Sequence, residues 1–156
     1  CSKGYQTVET LKKKYSDNLR FVYKHLPLSF HPEAMPAAQW FEAACLQSPE
    51  KGWKFHDALY QHQDKIGEAY YKETATSLGL DMERLEKDAK SQEVKDKIAA
   101  DMDEAKKYGF NGTPGFLLNG VPVRGAYPVE YFDDIIKKLD RRSEDALKKT
   151  APDKPN

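Results

Sequence analysis

The sequence predicts an α/β domain in which a small mixed sheet carries an inserted block of helices. Residues 19–26 alternate between apolar and polar side chains, as in a half-buried strand. Apolar residues recur at helical spacing through most of residues 33–106. Asn119-Gly120 then separates two short apolar runs, a pattern typical of a tight β-hairpin. A strand followed by a long crossover and a hairpin favours a mixed sheet flanked by helices.

An amphipathic helix and the alternating strand precede the helical block. Residues 5–15 predict the helix, because an apolar residue recurs every three or four positions: Tyr5, Val8, Leu11 and Tyr15. The following strand has Leu19, Phe21 and Tyr23 on its apolar face. Pro27 ends it, since proline cannot donate a ladder hydrogen bond.

Capping residues divide the block into separate helices. Ser48-Pro49 predicts a helix start with proline at the first helical position. Gly79 is well placed to end the next helix, and Asp81 and Ser91 to begin the two that follow. After the block we expect the hairpin over residues 116–123 and a final helix opened by Pro128.

Composition excludes several classes of protein. The 156-residue chain has 25 basic and 25 acidic residues, whereas a general nucleic-acid binder needs an excess of basic groups. No apolar run approaches the roughly 20 residues of a membrane helix, so we expect no membrane insertion. Two cysteines cannot form a disulfide framework. Cys1 comes first, without an initiator Met and without a visible export leader, which predicts a processed or partial chain.

The order and spacing of several motifs resemble the DsbA-like thiol–disulfide oxidoreductases. The most specific motif is the run from Gly109 to Phe116, which is similar to the family's G-x-x-G-T-P-x-F. Further markers are the Cys1 helix, the strand and turn at 21–28, His31-Pro32, and the stretch from Trp53 to Leu59. The resemblance covers roughly residues 1–140.

The resemblance implies a thioredoxin-like fold with an inserted all-helical subdomain. Residues 1–30 and 107–149 would form the thioredoxin-like domain and residues 31–106 the insertion, leaving 150–156 as a disordered tail. The family's first strand would be missing from this chain.

The family's Cys-x-x-Cys motif is not present in full. If Cys1 were its first cysteine, Gly4 would stand at the position of the second. The distance from Cys1 to Thr7, Leu11 and Tyr15 matches the family better when Cys1 is the second. We therefore expect Cys1 to be the catalytic, resolving cysteine of a pair whose attacking member lies upstream. A helix N-terminus suits such chemistry, because its unpaired N–H groups stabilise the thiolate that attacks a disulfide.

Thr113 and Pro114 are the expected substrate-binding residues. The resemblance implies a cis proline that faces the cysteine pair. The residue before a proline is held extended, so its backbone can pair with an incoming peptide as an added strand. An ordinary turn before a hairpin is the alternative interpretation.

The remaining reactive side chains favour structural roles. Cys45 lies among alanines and a leucine, where a free cysteine behaves as a small hydrophobic residue. The histidine pairs 25/31 and 56/62 are each six residues apart, which is not the same-face spacing of a helical metal site. We expect no metal and no cofactor. Lys24 is either a charge near the cysteines or, more simply, an edge lysine that reaches solvent.

The function that follows from the resemblance is disulfide exchange with exported proteins. The implied partners are unfolded or partly folded polypeptides and a redox protein that resets the cysteines, in the periplasm or another extracytoplasmic compartment. Two alternatives stay open: a glutathione-dependent isomerase or transferase of the same fold, and a non-catalytic peptide-binding or chaperone module. The residues between the two cysteines would decide between oxidase, reductase and isomerase.

Overall fold

The computed structural model describes residues 1–150, with side chains described up to Ala146. The helices before the sheet are α1 (Ser2–Lys14), α2 (Ala34–Gln47), α3 (Pro49–Gln61), α4 (Glu68–Ser77), α5 (Met82–Ala89) and α6 (Gln92–Lys107). A short 3₁₀ turn, Gln63–Lys65, follows α3. The chain then forms β1 (Gly115–Leu118), β2 (Val121–Arg124) and α7 (Val129–Thr150). The predicted tail, apart from Thr150, lies outside the described residues.

The predicted caps are confirmed. The side chains of Ser48, Asp81 and Ser91 each accept a hydrogen bond from the backbone N–H three residues further on. Gly79 ends α4 with a φ of 64°, the left-handed conformation that glycine adopts without strain. These helix ends follow from local chemistry, so the sequence could predict them.

The hairpin is confirmed as a two-stranded antiparallel sheet. Gly115 pairs with Arg124 and Leu118 with Val121. Asn119 and Gly120 have φ values of 44° and 90°, and positive φ at both central residues is what a type I′ turn requires.

Residues 19–26 differ from the prediction, because the structure assigns no strand to them. Their burial does alternate as expected: Leu19, Phe21 and Tyr23 are half-buried, whereas Arg20, Val22 and Lys24 are exposed. A strand also needs a partner backbone. In the described residues β1 and β2 pair with each other, and neither forms a ladder with residues 19–26. Among the described residues the sheet is therefore the antiparallel hairpin alone, without the mixed pairing that the sequence predicted.

Side chains hold this unpaired segment to the helical block. Asp101 of α6 is 2% exposed and accepts hydrogen bonds from the His25 N–H (3.1 Å), from Lys24 Nζ (3.1 Å) and from Lys97 Nζ (2.6 Å). Burial opposes ionisation of Asp101, but these donors together hold the pKa of its carboxyl below the ordinary value. Lys24 also pairs with Glu104 at 2.8 Å, so its partners are the carboxylates of α6.

Three apolar clusters form the core of the described residues, and the smallest consists of Ala38, Val94 and Ile98. The largest is built from buried residues of the block: Phe41, Ala43, Ala44, Phe55, Leu59, Tyr71, Ala75, Leu80, Leu85 and Ala89. The second joins α1, the hairpin and α7 through Leu11, Val123, Phe132 and Ile136. The proposed division of the chain into domains stays a prediction.

Candidate functional site

Cys1 is the N-cap of α1. Its carbonyl oxygen accepts the first helical hydrogen bond, from the Tyr5 N–H at 3.0 Å. Its side chain is exposed, forms no disulfide and caps no N–H, and the first turn of α1 contains no acidic residue. The thiol therefore lies at a helix end whose unpaired N–H groups favour a negative charge.

The Thr113–Pro114 peptide bond is cis, and Pro114 packs directly against the first turn of α1. The contact is made at Gly4, where an added Cβ would lie 3.1 Å from both Cβ and Cγ of Pro114. Gly4 is one turn from Cys1 along the helix. The structure thus brings the three sequence-predicted site residues, Cys1, Thr113 and Pro114, to the same end of α1.

The backbone of Thr113 is available for pairing. Thr113 is exposed, and within residues 1–150 neither its N–H nor its carbonyl takes part in a hydrogen bond. The carbonyl of Pro114, in contrast, accepts a hydrogen bond from the Gly125 N–H at 2.9 Å. An extended peptide could therefore pair with Thr113 without displacing an internal hydrogen bond.

Arg124 of β2 holds the segment that leads into Thr113. Its guanidinium donates to the carbonyls of Gly109 (3.2 Å) and Tyr108 (3.4 Å), and lies 5.4 Å from the ring centre of Phe110. Phe110 in turn packs on Gly115, where a Cβ would lie 2.6 Å from its Cδ1 atom. These contacts, which the sequence did not predict, fix both sides of the cis proline.

A shallow groove of about 490 Å³ runs from Lys3 along α1 to the β2–α7 loop. It is lined by Lys3, Gln6, Thr7, Thr10, Ala126, Tyr127, Pro128, Val129 and Glu130. Tyr127 stacks on Tyr131 with ring centres 4.4 Å apart, and both rings are exposed by more than 40%. The groove could not be predicted from the sequence, because it combines residues about 120 positions apart in the chain.

An aromatic cluster attaches another face of α1, the one that carries Tyr5, to the helical block. Tyr5 stacks on Tyr60 of α3, with ring centres 5.1 Å apart. His56, buried in this cluster, lies 4.7 Å from the ring centres of both Tyr60 and Tyr23. Its Nδ1 contacts Asp57 at 3.0 Å, whereas its Nε2 is buried and has no hydrogen-bond partner among the described residues. Burial lowers the pKa of His56, so the ring is neutral at pH 7.

One cluster of side chains has the residue types of a metal site, but its members already bind one another and neighbouring groups of the protein. His25, Glu42 and Asp101 place possible metal-ligating atoms within 4.8 Å of one another. His25 Nε2 already contacts Glu42 at 2.8 Å, and the Asp101 oxygens accept from two lysines and a backbone N–H. A cation at this cluster would have to displace the ammonium groups of Lys24 and Lys97.

Cys45 is half-buried, and burial raises the pKa of its thiol to about 12.

A cysteine at a helix start, a cis proline against that helix, a following hairpin and an inserted helical block together define a thioredoxin fold of the DsbA-like type. A family model described as Thioredoxin matches residues 1–138, and the chain belongs to that family.

Solved structures show the same fold. A thioredoxin-like oxidoreductase from Silicibacter pomeroyi DSS-3 is similar with a TM-score of 0.78 and 30% identity, over 90% of this chain and 81% of that one. The thiol-disulfide exchange protein alpha-DsbA2 from Wolbachia pipientis is similar with a TM-score of 0.79 and 16% identity, over 89% and 74% of the two chains. The DsbA-like thioredoxin fold predicted from the sequence is therefore confirmed.

The curated relatives that match this chain are much longer proteins. A Na(+)/H(+) antiporter, NhaA 3 of Salinispora tropica, is 35% identical over 131 residues, which are 83% of this chain and 20% of the antiporter. The chain thus spans about one fifth of the length of the curated relatives it matches. In residues 1–150 no helix combines the length and apolar character needed to cross a bilayer.

Proposed function

We propose that this chain is a thiol–disulfide oxidoreductase domain that exchanges disulfides with polypeptide substrates. The observation that carries the proposal is the contact between the first turn of α1 and Pro114, beside the unpaired backbone of Thr113. Membership of the thioredoxin family and the likeness to the Silicibacter oxidoreductase support it.

In this proposal Cys1 is the resolving thiol of a pair whose other cysteine lies three positions before it. That outer thiolate attacks one sulfur of a substrate disulfide, and the second substrate sulfur leaves as a thiolate that takes a proton from water. The Cys1 thiolate then attacks the mixed disulfide. The bond to the substrate breaks, the first substrate sulfur leaves as a thiolate, and the enzyme pair is oxidised as the substrate is reduced.

Thr113 and Pro114 would hold the substrate during both steps. A polypeptide paired with the Thr113 backbone lies across the end of α1, which brings its sulfur to the thiols. The groove that begins at Lys3 extends this surface toward the stacked rings of Tyr127 and Tyr131. Substrates would be unfolded or partly folded proteins, and a second redox protein would reset the pair.

The unpaired segments support a strand before Cys1. Residues 19–26 have the burial pattern of a strand but no ladder partner among the described residues, and β1 is paired along one edge. In the proposed domain, a strand before Cys1 would supply a partner backbone for these segments. Work in an oxidising, extracytoplasmic compartment follows from the proposed chemistry.

The test uses the full-length protein and a peptide that contains one disulfide. We expect Cys1→Ser to lower turnover on the order of 100-fold or more and to accumulate the mixed disulfide, because the resolving thiol is gone. The matched control is Cys45→Ser, which removes the thiol whose pKa is raised to about 12 and should leave turnover unchanged. Acid quenching, alkylation and intact mass measure the trapped species.

Three outcomes would overturn the proposal. Unchanged turnover in Cys1→Ser would remove Cys1 from the chemistry. Peptide binding without any exchange by the unmodified protein would favour the non-catalytic peptide-binding module. Activity that requires glutathione, with no cysteine three positions before Cys1, would favour the glutathione-dependent isomerase or transferase.

A further inference from the structure

Gly4 is the point at which α1 touches the proline segment. It is buried in the first turn of α1, and a Cβ built on it would lie 3.1 Å from Cβ and Cγ of Pro114 and 3.3 Å from Cζ of Phe116. Ordinary contacts between carbon atoms are about 3.5–4.0 Å long. A side chain at this position would therefore require the helix and the proline ring to move apart by a few tenths of an ångström.

Backbone conformation does not explain a glycine at this position. Gly4 lies within a regular helix and does not have a positive φ, unlike Gly79 and Gly120. Glycine in a helix interior is less favourable than alanine. What distinguishes glycine at position 4 is therefore that it has no side chain to contact Pro114 and Phe116.

We propose that Gly4 is a positioning residue, which sets the separation between the Cys1 end of α1 and the peptide-docking segment Thr113–Pro114. This inference rests on the proposed function. A substrate held on the Thr113 backbone can present its sulfur to the thiols only if that separation is maintained. Gly4 thus determines how well polypeptide disulfides react, whereas small disulfides, which need no docking, react independently of it.

The surroundings of Gly4 cannot easily move to accept a methyl group. On the proline side, the Pro114 carbonyl is hydrogen-bonded to the Gly125 N–H at 2.9 Å, and the Phe116 ring packs on Phe132 with centres 4.9 Å apart. On the other side of α1, Tyr5 is stacked on Tyr60. Added volume at Gly4 must therefore separate the helix end from the docking segment by a few tenths of an ångström. Misplacement by about 1 Å can cost a reaction about 100-fold, so we expect roughly a tenfold loss here.

The test compares two kinds of disulfide in the full-length protein. Rates of exchange are measured with an extended peptide disulfide and with oxidised glutathione, for the unmodified protein and for Gly4→Ala. We expect Gly4→Ala to lower the peptide rate roughly tenfold and to leave the glutathione rate within about twofold. Lys13→Ala, an exposed position of the same helix, is the control and should change neither rate.

A double variant covers the case in which Gly4→Ala does not fold. Phe116→Leu shortens the side chain whose Cζ lies 3.3 Å from the added methyl, so Gly4→Ala/Phe116→Leu should fold and recover part of the peptide rate. Circular dichroism monitors folding in each variant.

The outcomes separate this inference from the proposed function. If the unmodified protein exchanges with the peptide but Gly4→Ala lowers both rates equally or neither, Gly4 is not a positioning residue and the proposed function stands. If the unmodified protein exchanges with neither disulfide, the proposed function fails and this inference fails with it.

Discussion

Gly52→Ala is expected to destabilise the protein, although the same change in an exposed helix is stabilising. Gly52 lies in α3, where α3 crosses α2. A Cβ there would overlap Cys45 Sγ and lie 2.9 Å from the Cα and N atoms of Cys45. The sulfur could rotate away, but the contacts with the Cys45 backbone persist in every rotamer.

The magnitude follows from two opposing effects. Alanine is favoured over glycine in a helix interior by about 1 kcal/mol. Carbon contacts of 2.9 Å must lengthen to about 3.5 Å, so α2 and α3 must separate by roughly 0.5 Å. Overpacking costs about 1–3 kcal/mol, and the upper end of that range applies at Gly52, because two of its three short contacts are with backbone atoms. We expect a net loss of about 2 kcal/mol, or about 5 °C in the melting temperature of a chain of this size.

The assay is urea unfolding followed by far-ultraviolet circular dichroism at pH 7. Gly112→Ala is the matched control, because no atom of the described residues lies within 4 Å of a Cβ at that position. Adding Cys45→Ala to Gly52→Ala should restore only part of the loss, since the backbone contacts remain. A Gly52→Ala protein as stable as the unmodified one would refute the assigned α2–α3 packing.

The other two predictions concern buried titratable side chains and are read out by the same unfolding experiment. His56 has a lowered pKa, so the folded protein binds fewer protons than the unfolded chain between that pKa and about 6.5, and stability should fall as the pH is lowered through this window. His56→Phe should flatten this dependence, and an unchanged pH profile would contradict the prediction. Asp101→Asn should cost about 1–3 kcal/mol, because the buried amide cannot accept from two lysines and the His25 N–H together. Asp103→Asn, at an exposed position of the same helix, should change stability by less than about 0.5 kcal/mol, and equal losses in the two variants would refute the role of Asp101.

Local chemistry explains which elements could be predicted from the sequence. The caps at Ser48, Asp81 and Ser91 and the turn at Asn119-Gly120 each depend on a few neighbouring residues, and each forms as predicted. The strand over 19–26 depends also on a distant partner. Its alternation of burial was predictable, but its lack of a ladder was not, because strand pairing is decided by residues far away in the chain.

The candidate site was predictable as a set of residues but not as an arrangement. The resemblance gave Cys1, Thr113 and Pro114. The contact between Gly4 and Pro114 joins positions 110 residues apart, and the hydrogen bond from Arg124 to Gly109 joins positions 15 residues apart. No local sequence pattern indicates either contact. A glycine inside the first turn of an amphipathic helix was the one available sign of a close approach.

The position of Cys1 depends on contacts of α1 with both the hairpin and the helical block. Successive residues of α1 face different parts of the molecule, since Gly4 contacts Pro114 and Tyr5 stacks on Tyr60 of the helical block. Leu11 packs in the cluster with the hairpin and α7, and the end of the helix is held by Tyr15, whose hydroxyl donates to Asp133 at 2.9 Å. A helix held on two sides cannot shift toward one without losing contact with the other. The inserted block therefore helps to maintain the geometry of the thiol, even though it contributes no residue to the proposed chemistry.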